Sequence, residues 1–217
     1  VKDGWNGFNV LHTAAGRVGA LDAGFVPGAG GRDTAGIVAG AGDGALDVVV
    51  LLGADEIDTA ALGRAFVVYI GHHGDRGAHR ADVILPGAAY TEKDATYLNT
   101  EGRVRQARRA VFPPGEARAD WAVVRALSEA LGATLPFDDL AALRRALAAA
   151  HPAFATADGV VPAVWGAFGR PGPLGDGGFA SPIKNVYMTD PISRASPTMA
   201  QCVEALGDPG QATGTHG

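Results

Sequence analysis

The chain has 217 residues, of which 47% are hydrophobic and 19% are charged, and its formal net charge is −5. A chain of this length and composition can bury the core of one α/β domain and still leave an extended tail, which excludes a wholly disordered protein. Because nucleic-acid-binding surfaces need a basic stripe, the acidic balance argues against a nucleic-acid partner.

The cysteine content excludes several kinds of site. The single cysteine, Cys202, excludes an internal disulfide, and it excludes an iron–sulfur cluster or a Cys-rich zinc site held by this chain alone. No apolar run approaches the roughly 20 residues that a membrane-spanning helix needs, so no membrane insertion is predicted. The chain begins at Val1 without an initiator Met or a signal peptide, which predicts a fragment of a longer protein.

The N-terminal quarter is predicted to contain one helix and a glycine-rich connection. Residues 5–20 carry an apolar stripe at spacings of three and four, which predicts a helix. Residues 24–44 are dense in glycine and predict loops with at most a short helix near residues 35–38. The stretch 40–45 matches the dinucleotide pattern G-x-G-x-x-A, but it precedes a strand instead of following one. A flexible approach loop is therefore the preferred interpretation.

Three short apolar runs predict the strands of a parallel sheet. They cover residues 47–53, 66–70 and 81–85. The first run has the β-branched pattern of a central strand. The last run is predicted to be a strand that is buried on both faces and ends at Pro86-Gly87. A short crossover helix over residues 56–64 and a short connection over residues 77–80 would join them. The predicted fold class is α/β, with a Rossmann-like, mostly parallel sheet, flanking helices and an extended C-terminal tail.

The second half is predicted to hold a hairpin, two helices and the tail. Residues 96–99 and 103–106 can pair across a turn at Gly102, and residues 120–131 form a helix with Gly132 after it. Asp138 is the predicted N-cap of a further helix that ends at His151-Pro152. The predicted organisation is an α/β domain over residues 1–151, a Gly/Pro-rich extended segment over 152–182 that Trp165 and Phe168 anchor, and a tail over 183–217. A short helical pattern lies in that tail, and its last ten or so residues are predicted to be disordered.

One cluster has the composition of a metal site: His72, His73, Asp75 and His79. A closed zinc site needs three or four convergent ligands, and a loop could gather three of these. Adjacent histidines at a strand end are expected to point to opposite sides, so both cannot easily face one ion. The preferred interpretation is a polar loop whose side chains hydrogen-bond neighbouring backbone groups.

Charged residues on either side of the predicted hairpin are the next candidates. Glu92, Lys93 and Asp94 could supply an acid and a base, but consecutive charges at a turn are more often caps and solvated ion pairs. The second group is a basic edge. Arg103 and Arg105 would share one face of a strand, so they could hold an anion or an acidic partner surface. A solvated edge that resists aggregation is an equally good interpretation. This edge comprises Arg103, Arg105, Arg108 and Arg109.

The tail contains hydroxyl and thiol groups without a nearby base. Ser193, Ser196 and Thr198 have no neighbouring histidine in the sequence, so none is read as a nucleophile. Cys202 has Met199 one helical turn before it and is predicted to be a small buried hydrophobe. No catalytic, cofactor-binding or metal-binding residue is predicted in this chain.

Two long matches resemble one known family. Residues 71–75 (GHHGD), 81–93 (ADVILPGAAYTEK) and 95–104 (ATYLNTEGRV) resemble the molybdopterin-oxidoreductase-like region of the large iron–sulfur subunit of respiratory complex I, which is the G subunit of bacterial NADH-quinone oxidoreductases. Residues 187–202 (YMTDPISRASPTMAQC) resemble the tail of the same large iron–sulfur protein in mitochondria and related bacteria.

The resemblance implies a role inside a respiratory oxidoreductase. The whole enzyme would pass electrons from NADH to quinone and translocate protons, with [4Fe-4S] and [2Fe-2S] clusters on a separate N-terminal part of the large iron–sulfur protein. The molybdopterin-like part would have lost its cofactor, so this chain would be a structural and interaction region without a cofactor. It would contact other hydrophilic-arm subunits, in the peripheral arm at the cytoplasmic face of the bacterial inner membrane.

Two other functions fit parts of the pattern. The chain could be a fragment of an active molybdopterin-dependent oxidoreductase of the formate dehydrogenase or nitrate reductase type, with the pterin pyrophosphate at the loops that follow the three strands. It could also be a stand-alone nucleotide- or small-ligand-binding module. The lack of a phosphate loop weighs against the module.

Overall fold

A computed structural model describes residues 11–12, 14, 16–161, 172–173, 175–178, 183 and 185–206. The first helix, α1, spans Arg17–Asp22 and covers only the end of the helix predicted over residues 5–20. Half of the residues in that prediction, including Phe8 and Ala15, lie outside the described residues.

A three-stranded parallel sheet is the centre of the fold. The strands are β1 (Val48–Leu52), β2 (Phe66–Gly71) and β3 (Val83–Pro86), in the order β1-β2-β3. Val49 pairs with Val67 in the first ladder, and Tyr69 pairs with Ile84 in the second. The predicted parallel α/β fold is confirmed, but β2 is the central strand of the described sheet and β1 lies at its edge.

One face of this sheet carries the main core. Val49, Leu51, Val67 and Tyr69 point to it from β1 and β2, and each is at most 6% exposed. A 3₁₀ turn over Thr59–Leu62 covers them with the fully buried Leu62, where the sequence predicts a longer crossover helix. Burial of such side chains contributes about 1.5–3 kcal/mol each, so this layer fixes the sheet and the loops at its end.

The opposite face of the sheet is largely uncovered by the described residues. Alternate residues of β1 are exposed because the helices and turns that pack on the sheet contact its other side. The prediction that residues 81–85 are buried on both faces is also wrong, since Val83 and Ile84 are exposed although they point to opposite faces. The reason is that β3 lies at the other edge of the described sheet. The apolar sheet face is defined here as Val48, Val50, Leu52, Phe66 and Val83, which are 38–55% exposed.

Two predicted connections are helices. Helix α2 spans Thr34–Gly42 where the sequence predicts mostly loop, and the Asp33 side chain caps it by accepting a hydrogen bond from the Gly36 N–H at 2.8 Å. A Cβ on Gly42 would lie 2.8 Å from the Ala61 carbonyl, so this glycine lets the helix approach the 3₁₀ turn closely. Helix α3 spans Arg76–Arg80 directly after the loop that follows β2.

The predicted hairpin is confirmed. Strands β4 (Ala95–Leu98) and β5 (Val104–Ala107) pair antiparallel, and Gly102 lies in the turn between them with φ of +84°. Leu98 and Val104 form a second core with Phe154, which belongs to a 3₁₀ turn over Pro152–Ala155.

Gly102→Ala is expected to destabilise the chain by about 1–2 kcal/mol, because an L side chain adopts this left-handed conformation only at a cost. Urea unfolding monitored by circular dichroism measures the change. Gly28→Ala is a suitable control, since a Cβ there meets nothing within 4 Å and its φ is not positive. Equal stability of the two variants would contradict the predicted strain.

The remaining helices follow the predicted order. Helix α4 spans Asp120–Ala130 and is followed by Gly132 with φ of +72°, as predicted. Helix α5 spans Leu140–Ala150, but its N-cap is Asp139 and not Asp138, because the Asp139 carboxylate accepts from the Ala142 N–H at 2.6 Å. Asp138 instead pairs with Arg125 of α4.

Two short helices form the described part of the tail. Helix α6 spans Pro191–Arg194 and α7 spans Pro197–Leu206, with Val203 fully buried. Trp165, Phe168 and residues 207–217 lie outside the described residues, as do residues 162–171, 174 and 179–182 of the predicted extended segment. The division into three regions therefore stays a prediction. Within the part of the chain that the structure describes, no helix is long and apolar enough to cross a membrane.

Candidate functional site

Two buried carboxylates lie at the carboxyl end of the parallel sheet. Asp55 follows β1 and Asp75 follows β2, and each residue is only 3% exposed. The carboxyl ends of parallel strands meet at one edge of a sheet, so the two side chains converge there. Asp75 also caps α3, because its Oδ1 accepts a hydrogen bond from the Arg76 N–H at 2.8 Å.

Arg194 from the tail binds both carboxylates. Its Nε donates to Asp75 Oδ2, and its Nη2 donates to Asp55 Oδ1 at 3.0 Å. Its Nη1 reaches Glu56 Oε1 at 3.3 Å, and the arginine side chain is only 16% exposed. A planar guanidinium with donors in several directions suits this arrangement, because each carboxylate receives a charge-assisted hydrogen bond.

Helix α6 holds Arg194 in place. Asp190 is its N-cap and accepts from the Ile192 N–H at 2.8 Å, while the Ser193 hydroxyl and the Asp190 carboxylate complete a capping box. Pro191 occupies the first turn, where its fixed φ favours helix initiation. The tail motif of residues 190–194 therefore forms a rigid single turn that ends in the arginine.

The two carboxylates differ in their proton affinity. Burial, and then the negative charge of Asp75, raises the pKa of Asp55 above its usual value. Burial acts in the same direction on Asp75, but hydrogen bonds from Arg194 and the Arg76 N–H outweigh it and lower the pKa of Asp75. Asp55 Oδ2 is buried, and no described residue donates a hydrogen bond to it. Asp75 is thus the ionised member, and Asp55 is the member that takes up a proton first.

Tyr69 and Gly77 form the base of the site. The Tyr69 hydroxyl donates to the His73 carbonyl oxygen at 3.2 Å, and burial raises the pKa of this tyrosine. A Cβ on Gly77 would lie 2.6 Å from the Tyr69 ring and 3.0 Å from the Cβ of Asp55. Only glycine lets α3 approach this closely, which brings Asp75 next to Asp55.

The predicted histidine cluster does not converge on one point. His72 and His73 contact each other edge to face, with their Nδ1 atoms 2.6 Å apart, so the prediction that they point to opposite sides is wrong. Both follow the end of β2 at Gly71, where the alternation of a strand no longer applies. Asp75 faces Arg194, and among the described residues no group of three or more potential ligands could hold a metal ion.

Acid is expected to destabilise the chain through His72. Burial, and then the positive charges of His73 and Lys93, lowers the pKa of His72 below its usual 6.5. The folded state therefore binds fewer protons than the unfolded state, so the free energy of unfolding falls as pH drops below 6.5 and toward the folded pKa. Urea unfolding at pH 5.5 and 7.5 measures the difference. His72→Gln is expected to reduce this pH dependence, and an unchanged dependence would contradict the assignment.

A shallow cleft lies next to helix α6, which carries Arg194. The cleft has a volume of about 530 Å³. Residues of α6 and α7 form one side of it, and His72 and Tyr90 form the other. Its walls include His72, Ser196 and Met199, and Ser193 also lines it, so two of the three tail hydroxyls share a cleft with a histidine that is distant in the sequence. Ser196 accepts a hydrogen bond from the Met199 N–H at 3.4 Å.

The charged residues before the hairpin serve as caps and ion pairs in the structure. Glu92 Oε2 accepts from the Ala89 N–H at 2.9 Å, and Lys93 pairs with Asp120 of α4. Asp94 Oδ1 accepts from the Arg109 N–H at 3.2 Å. These contacts tie the loop after β3 to its neighbours.

The predicted basic edge is largely used within the chain. Arg105 pairs with the Asp158 carboxylate at 2.6 Å, and Arg103 donates to the Asp158 carbonyl oxygen at 2.8 Å. Arg109 lies 4.2 Å over the ring of Phe112. Arg103 and Arg105 thus both contact Asp158 within the chain, and the binding of an anion or an acidic partner at this edge stays a prediction. Cys202 is only partly buried, contrary to the prediction.

Two family models match the chain. The model described as molybdopterin oxidoreductase matches residues 1–130, and the model for the C-terminal part of the G subunit of NADH-ubiquinone oxidoreductase matches residues 154–202. The second match contains α6 and Arg194, while the first contains the sheet and both carboxylates. The ion pair at the sheet end thus joins the two matched regions.

Several curated proteins are similar along nearly the whole chain. The mitochondrial 78 kDa subunit of NADH-ubiquinone oxidoreductase from Neurospora crassa is 47% identical over 94% of the chain, and that of Candida albicans is 44% identical over 94%. The G subunit of NADH-quinone oxidoreductase from Rickettsia bellii is 40% identical over 94% of the chain. The chain spans 28% of the length of each of these relatives.

Proposed function

Because the chain belongs to the molybdopterin oxidoreductase family and is homologous along nearly its whole length to the G subunit of NADH-quinone oxidoreductase, we propose that it is a structural and interaction region of such a protein. The whole enzyme would pass electrons from NADH to quinone and couple this transfer to proton translocation. The chain would lie in the peripheral arm at the cytoplasmic face of a bacterial inner membrane and contact other hydrophilic-arm subunits.

The apolar sheet face is the observation that carries this proposal. Parallel sheets are found with both faces covered, because helices pack on each side. Here valine, leucine and phenylalanine side chains of β1 and β2 remain about half exposed on one side. A contiguous exposed apolar patch marks a protein–protein contact. Further protein, either from the same polypeptide or from its neighbours, is expected to cover this face.

The redox centres are assigned to another part of the enzyme. [4Fe-4S] and [2Fe-2S] clusters are held by cysteine thiolates, usually four for each cluster. This chain has only Cys202, so it cannot supply the ligands of such a cluster by itself. Its proposed contribution is to stabilise the hydrophilic arm of the enzyme, while electrons pass through clusters held elsewhere in the enzyme.

The molybdopterin that the family name implies does not fit the residues at the sheet end. A pterin nucleotide carries an anionic pyrophosphate, which proteins bind with backbone N–H groups and cations. The corresponding edge of this sheet presents the carboxylates of Asp55, Asp75 and Glu56, and Arg194 is already bound to all three. This arrangement disfavours the alternative of an active molybdopterin enzyme.

Co-purification tests the proposed assembly. The intact protein that contains this chain is tagged in its native membrane, solubilised in mild detergent and isolated under conditions that keep complexes together. The expected result is a set of co-purifying subunits with NADH:quinone reductase activity. A tagged protein that elutes alone, or with molybdenum in a stoichiometric amount, would refute the proposal.

A further inference from the structure

We propose that the carboxyl ends of β1 and β2 form a guanidinium-binding socket and that the chain fills it with its own Arg194 side chain. The socket is defined by the carboxylates of Asp55 and Asp75, with Glu56 at its rim. Its ligand class is a monoalkyl guanidinium. This inference concerns only residues of this chain, so it stands independently of the proposed respiratory function.

The geometry of the hydrogen bonds selects a guanidinium. Arg194 uses Nε toward one buried carboxylate and Nη2 toward the other, and its Nη1 points to Glu56. Three nitrogens of one planar group therefore reach three separate acceptors. An ammonium group concentrates its charge on one nitrogen, so it cannot span the same acceptors from the same place.

Burial makes the socket dependent on a cation. The side chains of Asp55 and Asp75 are each 4% exposed, so water does not neutralise their charge. Among the described residues, no donor other than Arg194 reaches Asp55, and its buried Oδ2 has no hydrogen-bond donor. A buried carboxylate without a partner is costly, so the site favours a donor group that reaches both carboxylates at once.

Contacts that do not involve Arg194 help to position the walls of the socket. Asp75 is held by its hydrogen bond to the Arg76 N–H, and Asp55 packs against the glycine at the start of α3. The buried Tyr69 ring packs closely against Gly77 at the start of α3. These contacts keep the two carboxylates close together, which lowers the entropic cost of binding a small guanidinium between them.

The charge of the socket also explains its choice of ligand. The edge at which α/β proteins commonly hold phosphate groups is here acidic, and a tail helix supplies the only cation bound there among the described residues. An anion at this edge would face two buried carboxylates. The site therefore takes a cationic side chain in the position where related folds take an anionic ligand.

Chemical rescue tests the socket. Arg194→Ala is made in the full chain, and hydrogen–deuterium exchange is measured for residues 52–57 and 71–77. We expect exchange in these segments to rise by at least about tenfold, because the two carboxylates lose their partner. Ethylguanidinium is then expected to restore most of the protection in a saturable manner. Ethylammonium at the same concentration and ionic strength is expected to restore little.

A matched variant supplies the control. Arg194→Ala combined with Asp55→Asn and Asp75→Asn lacks the acidic walls, so ethylguanidinium is expected to leave its exchange unchanged. If Arg194→Ala does not fold alone, the readout becomes the yield of refolding with each additive, and ethylguanidinium is expected to raise it. No effect of ethylguanidinium, or equal effects of the two cations, would overturn the socket.

Discussion

Arg194→Leu is expected to lower the free energy of unfolding by about 3–5 kcal/mol, because it leaves two buried carboxylates without their cation. The loss is large because the burial of Asp55 and Asp75 remains while the compensating charge is gone. Arg194→Lys is expected to lose less, since it keeps the charge but contacts fewer acceptors. Urea unfolding of the three proteins at pH 7.5 measures the order.

The pH dependence of the stability of Arg194→Leu shows whether the loss of stability comes from the missing charge or from the missing packing. Without the guanidinium, the pKa of both carboxyl groups should rise above the unfolded value. A raised folded pKa contributes stability that is present at low pH and lost as pH rises through it. The variant should therefore be closer to wild type at pH 5 than at pH 8. Combining it with Asp55→Asn and Asp75→Asn should recover much of the loss, and an equal deficit at all pH values would indicate lost packing alone.

Val50→Asp is expected to reduce the amount of assembled enzyme to roughly a tenth or less while the folded chain persists. Val50 is 46% exposed on the apolar sheet face, so the isolated chain tolerates a carboxylate there at a cost of about 1 kcal/mol. If other protein covers this face, the same carboxylate becomes buried without a partner, at a cost of several kcal/mol. Native gel electrophoresis of membranes that express the variant measures assembly.

Leu131→Asp is the control for this charge. Leu131 follows α4 and is 74% exposed, so its substitution adds the same charge away from the apolar sheet face. Normal assembly of Leu131→Asp together with failure of Val50→Asp would locate the contact on the sheet. Normal assembly of both variants would show that this face is not covered in the enzyme.

The features that depend on neighbouring residues could be predicted from the sequence. The β-branched runs that become β1 and β2 have a strong local signal, and so does the turn at Gly102. Helix α2 was not predicted at its full length because its glycines lower helix propensity, and its close packing against Ala61 cannot be read from the sequence. Burial of β3 was overestimated because an apolar run does not show whether the chain itself supplies the cover.

The socket depends on distant residues and could not be predicted. Arg194 lies 139 residues from Asp55 and 119 from Asp75, and no local pattern connects them. The sequence did place the histidine loop, which contains Asp75, at a strand end, where ligands are held. It also identified the tail motif, but only through its resemblance to a family. The structure supplies the link between these two observations.

Turnover per assembled enzyme tests most directly whether this region is architectural. NADH:quinone reductase activity is measured in membranes with wild type, Arg194→Leu and Val50→Asp, and each value is divided by the amount of assembled complex. The account predicts that activity falls only in proportion to assembly, so that turnover per complex stays at the wild-type value. Normal assembly with a clearly reduced turnover would contradict it, because residues of this chain would then take part in the reaction.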